Sequence, residues 1–401
     1  MLDLQAMVPL RRAWDYPRPR GRAEVLPVVY GDMTLAADQG QWRAVCVDTE
    51  SFVYALAGHR LLAVDRGNQV TLFDRAGQVI DPDGYSLDLA HDFAGQGVIA
   101  TATFSAEAKA SEPITVRAMG KPGSDGRLLE NPYSVAADFL TAVCGAEAAE
   151  LDPTSLSTAW SRAEELGYRA AGVITAPCPM AAQLTELIGC FLGSWWRAGD
   201  GRIQLTLDLG YGSAGEAELS TGFSESDLKG VEVSARLDNL VNRAEVFYAR
   251  CPLTGEYGEA DDGADTRDLA SQGLYGEIRR QLHLPWVRSA AVARTIAGRM
   301  VGLLGSVRRV ITFTDTSLAN IHLERGDAAL LSLSWLADET GRPLVNQVVR
   351  VLAIEPHLDR GTVDFTCWDT GFFRTRAQRA DGRCRADASG LAGGRRDRRT
   401  L

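Results

Sequence analysis

Between Val25 and about Leu128 the apolar residues fall in short alternating runs. Ile114, Val116 and Ala118 interleave with Thr115 and Arg117, and Asp74-Arg75-Ala76-Gly77 and Asp81-Pro82-Asp83-Gly84 punctuate the series as turns. Side chains with period two predict half-buried strands, and a series of short ones predicts a barrel or sandwich. The pattern changes at Asn131-Pro132, a cap residue followed by a proline suited to a first helical turn. Val135, Ala136, Phe139, Leu140 and Val143 then recur at helical spacing. Asp152-Pro153 repeats the start signal ahead of Leu156, Trp160 and Ala163, and Gly167 supplies a stop. Gly172 to Thr175 reads as a brief strand. A third helix is expected from about Met180 to Trp196, with Leu184, Leu187, Ile188, Phe191, Leu192 and Trp195 as its apolar stripe.

Alternation returns at Ile203, Leu205, Leu207 and Leu209, and again from Val231 to Leu237. A helix from Pro285 to Leu304 interrupts it, and strands resume at Val310 to Phe313, Val348 to Ile354 and Thr362 to Trp368. The expected fold class is α+β, mainly β, with two barrel-like β domains, a small α/β insert and one long helix in the C-terminal half. The boundaries follow the changes of pattern. An N-terminal arm spans 1–24, where Pro17 and Pro19 disfavour helix and ladder alike. The first β domain spans 25–130 and the α+β domain 131–212. The second β domain, with its helix at 285–304, spans 213–373, and a tail covers 374–401.

The tail is distinguished by charge. It holds nine arginines against three aspartates, or +6, so with −10 for the whole chain the rest carries −16. Rich in Gly, Ala and Arg, it is expected to be disordered. An acidic body repels nucleic acid instead of binding it by counterion release. No apolar run reaches the roughly 18–20 residues of a membrane span, and Met1 to Gln5 lacks the basic and apolar parts of a secretory signal. The expectation is a soluble protein kept in a cytoplasm. Seven widely spaced cysteines, without a CxxC pair, fit buried thiols in a reducing compartment better than a disulfide frame or zinc site.

Local motifs give no support to catalysis, and no catalytic, cofactor-binding or metal-binding residue is assigned. Gly210-Tyr211-Gly212-Ser213-Ala214-Gly215 fits GxGxxG after a strand. The dinucleotide reading needs a helix opening at the third glycine, yet Glu216-Ala217-Glu218 and then Gly222 follow, with carboxylates that would repel phosphate. The segment reads as a turn. Ser213 is not in a GxSxG elbow. His59, His91, His283, His322 and His357 show no HExxH or HxH spacing. Asp261-Asp262-Gly263-Ala264-Asp265 lacks the closing glutamate of a calcium loop, because the twelfth position is Gln272. A carboxylate pair for glycoside hydrolysis is a tertiary property that sequence leaves open.

Several phrases, taken in order, resemble the tail-tip or baseplate hub proteins of tailed phages and gene-transfer particles. They are Glu130 to Leu140, opening a helix after the first β domain; Ala198 to Leu205, entering a strand; Leu237 to Val246; the turn Gly273 to Glu277; Leu323 to Asp327; and the closing strand Val363 to Thr366. The resemblance runs from about residue 28 to 370. It implies a non-enzymatic virion protein of the tail, assembled in a host cytoplasm. Such a chain forms a homotrimer whose paired β-barrels match a sixfold tube to a threefold tip and line a channel for DNA ejection. Implied partners are distal-tail or tube proteins, tail-tip fibre or spike proteins, the tape-measure protein, and DNA in passing; no cofactor is implied. An adaptor ring of the same tail and a cell-wall hydrolase are the alternatives.

Overall fold

The computed structural model describes residues 2–13, 16, 19–20, 24–36, 40–62, 70–93, 97–105, 112–207, 221–235, 239–261, 263, 266–337 and 341–369. The expected tail at 374–401 and the glycine-rich segment 210–215 lie outside the described residues. Strand accounts for 40% and helix for 23%, so the fold is α+β and mainly β. Two compact units divide the chain. Unit 1 contains 1–209, 244–267 and 280–300; unit 2 contains 210–243, 268–279 and 301–401.

In unit 1 the strands are short: β1 (Val28–Tyr30), β2 (Trp42–Arg43), β3 (Val45–Asp48), β4 (Val53–Ala57), β5 (Thr71–Phe73), β6 (Tyr85–Asp92), β7 (Val98–Phe104) and β8 (Thr115–Arg117). They make a four-stranded sheet in the order β3-β4-β7-β6 and a three-stranded one, β2-β8-β5. Between them Trp42, Tyr54, Leu56, Leu72, Ile114 and Val116 are buried in one cluster. The Trp42 indole donates to Leu56 O at 2.8 Å, which satisfies the one polar atom a buried tryptophan brings with it.

Helix α1 (Pro132–Asp138) starts where the cap signal predicts and widens into a π-helical turn over Phe139–Val143. Helix α2 (Pro153–Glu165) is capped by Asp152, whose carboxylate accepts from Ser155 N–H. Strand β9 (Gly172–Ile174) pairs antiparallel with β1. Gly172 is required there because a Cβ would come within 2.7 Å of the Trp286 ring.

Helix α3 (Met180–Gly189) is shorter than its apolar stripe predicts. The chain leaves it through Leu192 at a left-handed φ of 60°. Trp195 and Trp196 then lie in strand β10 (Gly193–Arg197), paired with β11 (Ile203–Leu207). Helical and strand periods overlap over so few residues that the stripe alone could not separate them. Pro179 offers no side-chain cap to α3. Instead Ala6 and Leu4 of the expected arm accept the N–H groups of Met180 and Ala181, at 3.0 and 2.9 Å. The arm thereby pairs helix-end donors that would otherwise have no partner in the chain.

Two strands of unit 2 come next, β12 (Gly222–Ser224) and β13 (Leu228–Ala235). Strands β14 (Arg243–Arg250), β15 (Tyr257–Asp261) and β16 (Arg279–Leu284) form a further three-stranded sheet with β14 central. Helix α4 (Leu269–Tyr275) intervenes. Helix α5 (Ala290–Leu304) begins five residues after Pro285, because Trp286, Val287 and Arg288 form a buried strap.

Four strands complete unit 2: β17 (Arg309–Asp315), β18 (Ala328–Ala337), β19 (Pro343–His357) and β20 (Thr362–Asp369). The six-stranded sheet runs β12-β18-β19-β20-β17-β13 and curls as a half-barrel. Only the β12–β18 pair is parallel. Burial alternates residue by residue along β17, as the sequence pattern predicts. Phe223 meets Phe313 and Phe365 edge-on in the core, centroids 4.8 and 4.9 Å away, while Phe313 and Phe365 stack at 5.7 Å.

Candidate functional site

The residues that prompted questions of chemistry are dispersed. His91 pairs with Asp88 at 3.0 Å, His357 with Asp364 at 3.0 Å, and His283 stacks on Phe247 with centroids 5.1 Å apart. His322 contacts Ala319 O and the Thr221 hydroxyl. Among the described residues no three His, Cys, Asp or Glu side chains gather as metal ligands would. Asp261, the described aspartate of the acidic run, accepts from Gly263 N–H and pairs with Arg294; the Gly263 bond first, then Arg294, holds its carboxyl below the usual range. Asp262 and Asp265, like Ser213, lie outside the described residues. Cys46, Cys144, Cys190, Cys251 and Cys367 are buried and Cys178 is half-buried. Burial pushes the Cys144 and Cys190 thiols up to about 12, so they stay protonated and poorly nucleophilic at neutral pH.

Five of the six phrases that carry the resemblance include a joint between elements; the sixth, Val363 to Thr366, lies within β20. Asn131 uses Oδ1 to cap α1 through Tyr133 N–H at 3.0 Å, while its Nδ2 donates to Glu164 of α2 at 2.7 Å. Asp200 closes the β10–β11 hairpin by accepting from Arg202 N–H at 2.9 Å, beside Gly201 at φ 86°. In unit 2, buried Asn242 joins two phrases. Its Nδ2 donates to Gly276 O at 2.7 Å, and its Oδ1 accepts from Ile278 N–H at 2.7 Å. Arg243 and Glu277 form an ion pair next to it at 2.7 Å. The Leu323 to Asp327 phrase is a turn closed by Asp327, which accepts from Glu324 N–H at 2.7 Å. Asn131, Asp200, Asn242 and Asp327 each pair a backbone group at a place where no ladder can reach it.

Unit 1 holds the group of side chains that most resembles catalytic machinery. The Tyr30 hydroxyl donates to Asp138 Oδ2 at 2.7 Å, and Lys121 Nζ lies 2.8 Å from both carboxylate oxygens. Burial, followed by the Asp138 charge, pushes the Tyr30 phenol well above its ordinary value. Half-buried His59 accepts from Val29 N–H through Nε2 at 2.8 Å, which requires a neutral ring, and burial pushes its pKa down to about 4. The phenol, held neutral, fastens β1 to α1 and is not poised to exchange a proton near neutrality, and Lys121 makes two bonds to the same carboxylate. In unit 2 the matching feature is Arg309 with Asp369, side chains 5% and 0% exposed, joined through Nε at 2.9 Å while Arg309 Nη1 donates to Ala337 O at 2.8 Å.

Sequence reasoning missed these groups because their partners lie far apart in the chain. It also missed Trp335. The period that buries Leu331 and Leu333 would bury Trp335 as well, but the register shifts between Leu333 and Ala337 and Trp335 stands 56% exposed. Val345 and Leu358 of unit 2 are exposed too, at 68% and 73%.

No family model matches the chain, and no curated protein does. Solved structures with similarity include the 43 kDa tail protein of prophage MuSo2 from Shewanella oneidensis, at 10% identity and a TM-score of 0.36, covering 86% of this chain and 94% of that one. A tail protein from Neisseria meningitidis MC58 is similar at 12% identity and a TM-score of 0.35, with 89% and 96% covered. The prophage tail protein gp18 from Listeria monocytogenes EGD-e is similar at 8% identity and a TM-score of 0.32, with 90% and 93% covered. All three are described as tail proteins, and at these TM-scores the likeness assigns neither a family nor a role.

Proposed function

We propose that the chain is a structural protein of a phage-type tail, the hub at its distal end. In this reading three copies assemble around a channel, cap the tail tube and let DNA pass during ejection. Distal-tail or tube proteins, fibre or spike proteins and the tape-measure protein are the neighbours. The particle tail, assembled in a host cytoplasm, is the location. The reading rests on the ordered phrases, and one observation carries it: five of the six coincide with caps, turns and junctions that hold the frame, while Val363 to Thr366 lies within β20. Residues of that kind specify an architecture and leave chemistry to other parts of a protein.

Self-assembly has physical support in unit 2. The half-barrel sheet ends at β12 and β13, each paired on one side among the described residues. Strand edges with free backbone groups offer templates for pairing, and exposed Trp335 adds the kind of aromatic anchor that interface centres favour. An acidic body of −16 also gives a passing polyanion no well in which to stick.

Negative-stain microscopy of the purified full chain tests the proposal through symmetry. Threefold particles are the expected outcome. Six-membered rings would favour the tube-adaptor alternative, and clearing of cell-wall substrate in a zymogram would favour the hydrolase.

A further inference from the structure

Arg288 in unit 1 is a buried cation with no buried anion beside it among the described residues. The residue is 4% exposed, and its guanidinium is held by two backbone carbonyls, Leu35 O at 3.2 Å from Nε and Arg250 O at 3.1 Å from Nη1. Its Nη2 has no hydrogen-bond partner among the described residues. Among the described residues no carboxylate forms an ion pair with it. Asp32, the one carboxylate whose field reaches it appreciably, spends Oδ1 on the Thr34 N–H and hydroxyl. Burial pushes the Arg288 pKa down to about 10, which leaves it charged at neutral pH.

That side chain lines a cavity of about 220 Å³, together with Arg250, Glu186, Gln183, Cys178 and Thr175. Glu186 is already engaged, accepting from the Trp286 indole at 3.0 Å and facing Arg250 Nη1 at 3.6 Å. The charged lining residues are therefore two arginines against one occupied carboxylate, a net +1. A buried guanidinium with a spare donor is costly unless an anion completes it, and a carboxylate matches its fork best. The volume admits a group the size of an acidic side chain.

We infer that this cavity is a carboxylate-binding site, in which Arg288 takes the acid group and Arg250 stands beside it. The carboxylate comes from a free small acid or from an acidic side chain of a protein partner. The inference is independent of the tail reading, since it concerns unit 1 alone.

Cys178, half-buried on the cavity wall, provides the readout. The full chain carrying Cys384→Ser is labelled with a thiol reagent in the presence of glutarate, of the blocked tripeptide Gly-Glu-Gly, of its Gln counterpart, or of chloride at equal concentration. At ten times the dissociation constant, glutarate or the Glu peptide should slow Cys178 labelling on the order of tenfold. The Gln peptide and chloride should leave the rate unchanged. Protection by glutarate alone assigns a free acid, and protection by the Glu peptide assigns a partner's side chain. Arg288→Gln should abolish protection. Should that variant not fold, Thr175→Trp at the exposed mouth of the cavity keeps Arg288 in place, and saturation transfer to glutarate, present with the wild type, should be lost. No protection by either carboxylate, equal protection by chloride, or glutarate contact that survives Thr175→Trp would overturn the inference.

Discussion

The two units solve the problem of holding a β body together in different ways. Unit 2 is built on a long antiparallel ladder, with strands of up to 15 residues around a phenylalanine core and one buried ion pair. Unit 1 has β1, β5, β8 and β9 at three residues each, and ties them with side chains: Tyr30 and Lys121 on Asp138, Asn131 on Glu164, His59 on Val29. A long ladder satisfies its own backbone through its strand pairs. Short strands leave more ends, and each end needs a donor or acceptor from elsewhere. The contrast predicts concentrated sensitivity in unit 2 and distributed sensitivity in unit 1.

The largest effect should come from Asp369→Ala, which leaves Arg309 buried without its partner. A loss of about 3–5 kcal/mol is expected in the unfolding transition of unit 2, followed by urea denaturation with tryptophan fluorescence. An effect below about 1 kcal/mol would mean that the pair is not the closed, desolvated feature described and would weaken the contrast. In unit 1, Asp138→Ala should cost less, about 1–3 kcal/mol, since Lys121 and Asp138 are each one-fifth exposed and water compensates. Tyr30→Phe should cost about 0.5–1.5 kcal/mol, because Asp138 keeps Lys121. Hydrogen exchange at the β1 amides reads both variants.

Acid titration sharpens the comparison further. The folded His59 has a pKa near 4 against 6.5 for the free side chain, so the unfolded chain takes up a proton first. Its contribution to unit 1 is whole above pH 6.5 and is lost as the pH falls from there to about 4. His59→Gln should flatten that part of the profile of β4 and β7 amide exchange. In unit 2 the Asp364 carboxyl, held down first by the Thr314 hydroxyl and then by His357, keeps its contribution until the pH falls below the ordinary carboxylate value. The first unit should therefore loosen before the second on acidification.

The same difference decides what could be read from the sequence. Strands β17 and β20 alternate visibly, and so does β11, because one face of each is buried and the other is not. Strand β4 is buried at every position and β1 likewise, so no period marks them. The caps at Asn131 and Asp152 were legible since they are local. The extent of α3 was not, because a left-handed Leu192 redirects an apolar stripe into a strand. Arg288, Tyr30 with Asp138, and Arg309 with Asp369 could not be found from spacing. Their partners lie 38 or more positions apart in the chain, where pattern carries no information about contact.

The central claim is that these units are made to assemble with copies of themselves. Sedimentation velocity on the full chain at micromolar concentration tests it most directly. A dominant species with the mass of three protomers is the predicted result; a single monomeric boundary across that range would contradict it.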